Sequence, residues 1–252
     1  TMLWDGLTDI FSQKHMGLTA EALAESYNFS RRDLDEFAAT SQAKACAAIE
    51  AGYFQAEIVP VAVPQRKGDP LEFKVDEHPR AGSTVEVLAK LRPAFKEGGV
   101  VTAGNASGIN DGAAALVLAS EELVKKHQLR PLARVVSSAT TALDPWLMGL
   151  GPVEATRKAL HKANWMVSDL DLIELNEAFA SQALACIKDL ELDPQKVNIQ
   201  GGAIALGHPI GASGARILTT LIYALRRTGG KRGLATLCVG GGMGVAMCVE
   251  LV

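Results

Sequence analysis

Apolar residues recur at helical spacing early in the chain, at Leu34, Phe37, Ala38, Ala45, Ala48 and Ile49. That spacing predicts a helix opened at Ser30 and Asp33 and closed at Gly52. An earlier helix is expected behind Thr19 as N-cap, with Leu18 and Leu23 placed as a hydrophobic staple. From Glu57 to Ala94 the pattern is broken by Pro60, Pro64, Pro70, Pro79 and Pro93. Such a segment is neither one long helix nor a central sheet. Val100-Val101-Thr102 reads as a strand, followed by a small-residue turn from Ala103 to Gly108. Asp111 to Ala119 (DGAAALVLA) reads as a buried strand and Glu121 to His127 as a short helix, with Arg130-Pro131 as punctuation.

Strands and helices then alternate. Leu132 to Ser137 is a predicted strand, Pro152 opens a helix to about Ala163, Asp171 to Leu175 is a strand, and Glu177 to Leu190 a helix. Val197 to Ile199 reads as a short strand. Gly211 to Arg227 reads as a helix whose apolar face is Ile217, Leu218, Leu221, Ile222 and Leu225. Two final strands, Leu234 to Val239 and Val245 to Val252, are joined by a glycine-rich turn. The expected class is α/β, a layered fold ending in a hairpin.

Composition narrows the function. The 252 residues are 48% hydrophobic and 21% charged, with a net charge of −3. That balance predicts a folded chain with no general attraction to nucleic acid or anionic lipid. No apolar run is long enough to predict a membrane span, and the opening Thr1-Met2-Leu3-Trp4-Asp5 has no signal-peptide pattern. Cys46, Cys186, Cys238 and Cys248 show no CxxC spacing, so neither a disulfide framework nor a thiolate zinc site is expected.

Three places could carry chemistry. Cys238 ends an apolar strand and precedes three glycines, where a thiol would face the carboxyl edge of a sheet and backbone N–H groups could approach a bound oxygen. Taken alone, it reads as a buried structural cysteine. His208 lies in GGAIALGHPIGASG (201–214), a glycine-rich loop leading into a helix. A neutral imidazole there could take a proton from a thiol. The run lacks GxGxxG spacing and a Walker lysine, which weakens a nucleotide reading. Asn176, in NEAFA (176–180), follows a strand. Its amide could hold a water or carbonyl, or simply cap the next helix. His78, His127 and His161 read as solvated, and Cys46 and Cys186 as helix residues without a role. A cysteine, a histidine, clustered N–H donors and an oriented amide together suit thioester chemistry.

These motifs, with GGAIALGHPIGASGARIL (201–218), LCVGGGMGVAMCVE (237–250), DGLTD (5–9), HMG (15–17), AKLRPAF (89–95) and VTAGNASGINDGAAA (101–115), resemble the thiolase family, within it the acetyl-CoA acetyltransferases. The resemblance covers nearly the whole chain. It implies a thiolase-like layered fold: a loop domain at 1–98 that helps bind coenzyme A, the last strand and helix of the N-terminal half at 99–130, and the C-terminal half at 131–252. A thiolase protomer is longer by roughly one ordinary domain, and none of the four cysteines sits in the family's nucleophile motif. Most of the N-terminal half, and the nucleophilic cysteine with it, is therefore expected to be absent.

The resemblance also implies roles. His208 would activate the nucleophile, Cys238 would be the acid/base acting on the α-carbon, Asn176 would hold a water in an oxyanion site, and the Gly240 N–H would belong to a second oxyanion site. An imidazole and a helix N-terminus nearby would favour the Cys238 thiolate. His15, Met16, Arg80, Phe95, Ser107, Ala178 and Phe179 resemble positions around the coenzyme A and acyl sites. The implied reaction interconverts two acetyl-CoA with acetoacetyl-CoA and CoA by ping-pong acyl transfer, in fatty acid metabolism. CoA thioesters would be substrates, and no metal or other cofactor is expected. Implied partners are the missing N-terminal portion and further copies in a homodimer or homotetramer. The expected location is cytoplasmic, or mitochondrial if a presequence precedes Thr1. The rivals are a broader-chain degradative 3-ketoacyl-CoA thiolase, a non-catalytic CoA-binding subunit, and a nucleotide-binding α/β module.

Overall fold

The computed structural model describes residues 2–252; Thr1 lies outside them. In chain order the helices are α1 (Met2–Leu7), α2 (Gly17–Tyr27), α3 (Arg31–Glu50), α4 (Val85–Leu88), α5 (Glu121–Lys126), α6 (Gly151–Ala163), α7 (Ala180–Asp189), α8 (Ala203–Leu206) and α9 (Ser213–Thr228). The strands are β1 (Val61–Val63), β2 (Leu71–Phe73), β3 (Ala133–Ala142), β4 (Leu172–Leu175), β5 (Arg232–Val239) and β6 (Met243–Leu251).

The proline-broken segment forms only the small antiparallel ribbon β1–β2. The main sheet has the order β3-β6-β5-β4. The hairpin β5–β6 is its centre, β3 runs antiparallel to β6, and β4 runs parallel to β5. Strand alternation sends Ile173, Leu234 and Cys248 to one face, against Ala155, Ala159 and Leu160 of α6 and Ala183 and Cys186 of α7. Leu172, Ala235 and Val249 face the other way, onto the α9 stripe Ile217, Leu218, Leu221, Ile222 and Leu225. Both faces are thus covered, as a parallel pair demands.

A third apolar cluster joins α2 and α3 to the sheet's carboxyl edge. It contains Ala20, Ala24, Leu34, Ala38, Val101, Met148, Ala178, Phe179 and Cys238, with Met16 and Phe95 packed against it. Ser30 opens α3 with a capping box to Asp33, as its sequence predicts.

Four expectations are corrected. Thr19 is not an N-cap: α2 begins at Gly17, and Thr19 Oγ1 donates to Met16 O instead. Val100 to Thr102 is not a strand, because the Glu21 carboxylate accepts the Val100 and Val101 N–H groups that a neighbouring strand would otherwise take. Val197 makes only an isolated bridge to Ile173. Asp111 to Ala119 forms no strand, since no strand among the described residues lies beside it, and Val117 and Leu118 are 97% and 79% exposed.

Helix α6 meets β6 backbone to backbone. A β-carbon on Gly151 would lie 2.3 Å from Met243 O and 2.8 Å from Gly244 Cα. Gly151 has ordinary helical angles, so its requirement is space and not conformation. Gly151→Ala should therefore cost about 1–3 kcal/mol through forced displacement, read by urea denaturation. Gly211→Ala, where a β-carbon meets nothing within 4 Å, should leave the midpoint nearly unchanged. Equal midpoints for the two variants would show that the helix–strand contact yields.

Candidate active site

The carboxyl ends of β4 and β5 and the loop before α9 converge on one region. Asn176 follows β4 directly, and its N–H donates to Thr236 O of β5 at 3.0 Å. Asn176 is fully buried. It is not a helix cap: α7 starts at Ala180, with Phe179 in the cap position. Its Nδ2 lies 3.4 Å from His208 Nε2, and its Oδ1 is buried with no hydrogen-bond partner. A buried, unpartnered oxygen beside an imidazole suits an additional hydrogen-bond donor, such as water.

The His208 loop is tightly held. Gly207 adopts φ +94°, a conformation glycine tolerates, and a β-carbon there would fall 2.5 Å from the Asn110 amide. The His208 N–H is shared between Gly108 O and Asn110 Oδ1, each at 3.3 Å. On the ring's other side, Nδ1 lies 2.6 Å from Ser213 Oγ. Burial, with Arg216 nearby, pushes the His208 pKa down to about 4. The imidazole is therefore neutral near pH 7 and able to accept a proton.

Beneath Asn176 sits a buried carboxylate. Glu177 accepts from Ser41 Oγ (2.7 Å), Asn198 Nδ2 (2.8 Å) and Ile204 N (3.2 Å). Burial raises its pKa, and those three hydrogen bonds oppose the rise. Ser41 Oγ also accepts from Gly202 N at 3.0 Å, and Asn198 brackets Leu175 with two hydrogen bonds. The strand end that carries Asn176 and the start of the loop that carries His208 are thus tied to α3.

Cys238 is buried near the end of β5, in the cluster with Ala178, Phe179 and Met16. The expected drift toward thiolate is corrected: burial pushes its pKa up to about 12. Its resting form is a neutral thiol, which can donate a proton but must first lose its own to accept one. Gly240 opens the following turn, and Met16 Cε lies 2.3 Å from where a Gly240 β-carbon would be. Met16 thus covers the turn beside Cys238.

His15 stacks on Phe95 at 4.7 Å, and Phe95 meets Phe179 edge-on at 6.0 Å. With Met16 these rings make one apolar wall. Ser107 Oγ donates to Ala178 O at 3.0 Å, which fixes it to the NEAFA turn. Arg80 is exposed and is positioned through its backbone N–H, which donates to Gln42 Oε1.

Three supporting residues escaped sequence reasoning: Glu177, Asn110 and Ser213. His78 is also half-buried, with Nδ1 2.8 Å from Ala205 O of α8, just before His208. The signal for Ser213 was its place five residues after His208 at a helix start. Glu177 and Asn110 offered no such signal, since their partners are distant in sequence. Among the described residues no group of three or more His, Cys, Asp or Glu could hold a metal ion, and no helix is long and apolar enough to cross a membrane.

Comparison with known proteins shows the family of the chain. The thiolase N-terminal domain model matches residues 1–122 and the thiolase C-terminal domain model residues 129–251. The acetyl-CoA acetyltransferase of Pseudomonas aeruginosa is 59% identical over 247 residues, which are 98% of this chain and 63% of the relative. That of Allochromatium vinosum is 57% identical over 99% of this chain and 64% of its own. The crystal structure of the Bacillus anthracis acetyl-CoA acetyltransferase superposes with a TM-score of 0.97 at 50% identity, covering 100% of this chain and 64% of that one. Human mitochondrial 3-ketoacyl-CoA thiolase in complex with CoA gives 0.91 at 45% identity, covering 99% of this chain and 62% of that one. The chain thus spans a little under two thirds of the length of these relatives. With both domain models matched in order and the fold shared throughout, the chain belongs to the thiolase family.

Proposed function

We propose that residues 1–252 carry the His208, Cys238 and Asn176 part of an acetyl-CoA C-acetyltransferase. The observation that supports this most is the buried, unpartnered Asn176 oxygen beside the neutral His208 imidazole. That pair can hold a water, and a substrate oxygen once His208 Nε2 has taken up a proton. The nucleophile in this reading is a cysteine outside residues 1–252: Cys46 lies within α3 and Cys186 and Cys248 are buried in the sheet core.

The protons balance as follows. His208 takes the proton of the nucleophilic thiol as its sulfur attacks the acetyl carbonyl, and CoA leaves as thiolate. Cys238 gives its proton to that thiolate and becomes a thiolate itself. It then removes an α-proton from a second acetyl-CoA, and the resulting enolate carbon attacks the acetyl-enzyme. The nucleophilic sulfur departs and recovers its proton from His208. The products are acetoacetyl-CoA and CoA, and thiolysis runs the same steps backward. The buried, neutral Cys238 fits this order, since it acts first as acid and only then as base. The Gly240 N–H would face the acyl oxygen, with the N–H of the nucleophilic cysteine as its partner donor. No cofactor enters: CoA thioesters are substrates, held along His15, Met16, Phe95, Ala178 and Phe179, with Ser107 and Arg80 at the CoA side.

The same reading places the enzyme in the cytoplasm, in fatty acid metabolism, as a homodimer or homotetramer. The exposed 111–119 segment would pair with the portion that carries the nucleophile. A broader-chain 3-ketoacyl-CoA thiolase is the second reading, supported by the likeness to the human enzyme of that name. Met16 closing over Gly240 favours the short-chain one.

In the complete enzyme, Cys238→Ala should still acylate, because CoA leaves as a thiolate that water can protonate, but lose condensation by about a hundredfold or more, as expected for a lost acid/base group. Single-turnover assays with labelled acetyl-CoA separate the two half-reactions, and unimpaired condensation would remove Cys238 from the mechanism. Met16→Ala should widen acceptance toward longer 3-ketoacyl chains, because a flexible side chain that fills the pocket is gone. An unchanged chain-length profile would make Met16 ordinary core. An ordinary imidazole, with a pKa of about 6.5, protonates as pH falls from 7 to 6. His208, held at about 4, stays neutral there, so kcat/KM for acylation should be flat over that range. A limb centred near 6.5 would contradict the neutral, buried base.

A further inference from the structure

Ser213 is the first residue of α9 and is 1% exposed. The N-cap of α9 is Ala212, which has no polar side chain to cap the helix, and Ser213 stands one position inside it. Ser213 Oγ lies 2.6 Å from His208 Nδ1 and 3.0 Å from Pro209 O. Pro209 is four residues back, the carbonyl to which a serine on a helix commonly donates. A hydroxyl carries one proton. With that proton on Pro209 O, an oxygen lone pair faces Nδ1, and Nδ1 must hold the imidazole hydrogen. The ring's own lone pair is then on Nε2, facing the Asn176 Nδ2–H donor at 3.4 Å. Donors and acceptors alternate without conflict from Asn176 through His208 and Ser213 to Pro209.

We propose that Ser213 is a positioning residue that fixes His208 in the tautomer protonated at Nδ1, so that Nε2 remains the proton acceptor of the site. The proposal rests on reading His208 as the base. The opposite tautomer would set an Nε2–H against the Asn176 amide hydrogens and would leave no lone pair toward the reaction. The backbone around His208 is already pinned by Gly108 and Asn110. What remains is the choice of which ring nitrogen carries hydrogen, and the hydrogen bond at the other nitrogen decides that choice. The Ser213 N–H separately donates to Pro209 O at 2.9 Å, so the turn into α9 keeps a backbone anchor when the hydroxyl is removed.

The test uses the complete enzyme. Nitrogen-15 NMR of the imidazoles, with His208 assigned by the signal lost in His208→Asn, should give a pyrrole-type Nδ1 and a pyridine-type Nε2. In Ser213→Ala the two nitrogens should move toward each other as both tautomers become populated. The same variant should lose about tenfold to a hundredfold in kcat for acylation, the usual range for removing a group that orients a functional histidine. KM for acetyl-CoA should stay within about threefold, because no substrate contact is removed. A pyridine-type Nδ1 in the unmodified protein would overturn the proposal, as would unchanged nitrogen shifts in Ser213→Ala. If His208→Asn acylated normally, the reading of His208 as base would fall, and the nitrogen shifts would still decide the role of Ser213.

Discussion

A buried carboxylate holds the site together. Glu177 lies at the carboxyl end of the parallel strand β4, only 2% exposed, and leaving it unpaired there would be costly. It takes hydrogen bonds from α3, from the loop after α7 and from the start of α8. Each donor belongs to a different part of the chain, so α3 is locked to the carboxyl edge of the sheet across 136 residues. Gly202 permits this closeness: a β-carbon there would stand 2.2 Å from the Glu177 carboxyl carbon. Asn176 precedes Glu177 directly, and the His208 loop begins at the helix whose N–H the carboxylate accepts. Their mutual position follows from that one group.

The polarity of the site also follows from burial. His208 is driven toward neutrality by the same desolvation that keeps the Cys238 thiol protonated. The two groups shift in opposite directions on the pKa scale and arrive at the same charge, zero. Between them these two groups form no resting ion pair.

The sequence made much of this legible where the signal is local. The α9 stripe, the Ser30 capping box, the β5–β6 hairpin and the convergence of Asn176, His208 and the Cys238 strand on one edge all follow from spacing and motif. The failures share a cause in tertiary competition. Val100 and Val101 look like a strand, but the Glu21 side chain claims their N–H groups. Thr19 has the chemistry of a cap, yet α2 starts two residues earlier on the turn made by His15 and Met16. The run 111–119 has strand composition, and pairing needs a partner that periodicity along one chain does not reveal. Cys238 reads as buried from its own strand, but the thiolate expectation weighed only a nearby imidazole and helix N-terminus, and desolvation dominates.

The contact between Ser41 and Glu177 spans 136 residues, and that between Tyr27 and Asp189 spans 162. Sites closed by such distant pairings form slowly, since loop-closure entropy is paid before the contacts form. On a ribosome moving at about 5–20 residues per second, α2 waits roughly 8–30 s for its partner helix to be made. During that interval the faces of α2 and α3 that will meet α7 lack that partner. Closure of this edge is thus a late event in the life of the nascent chain.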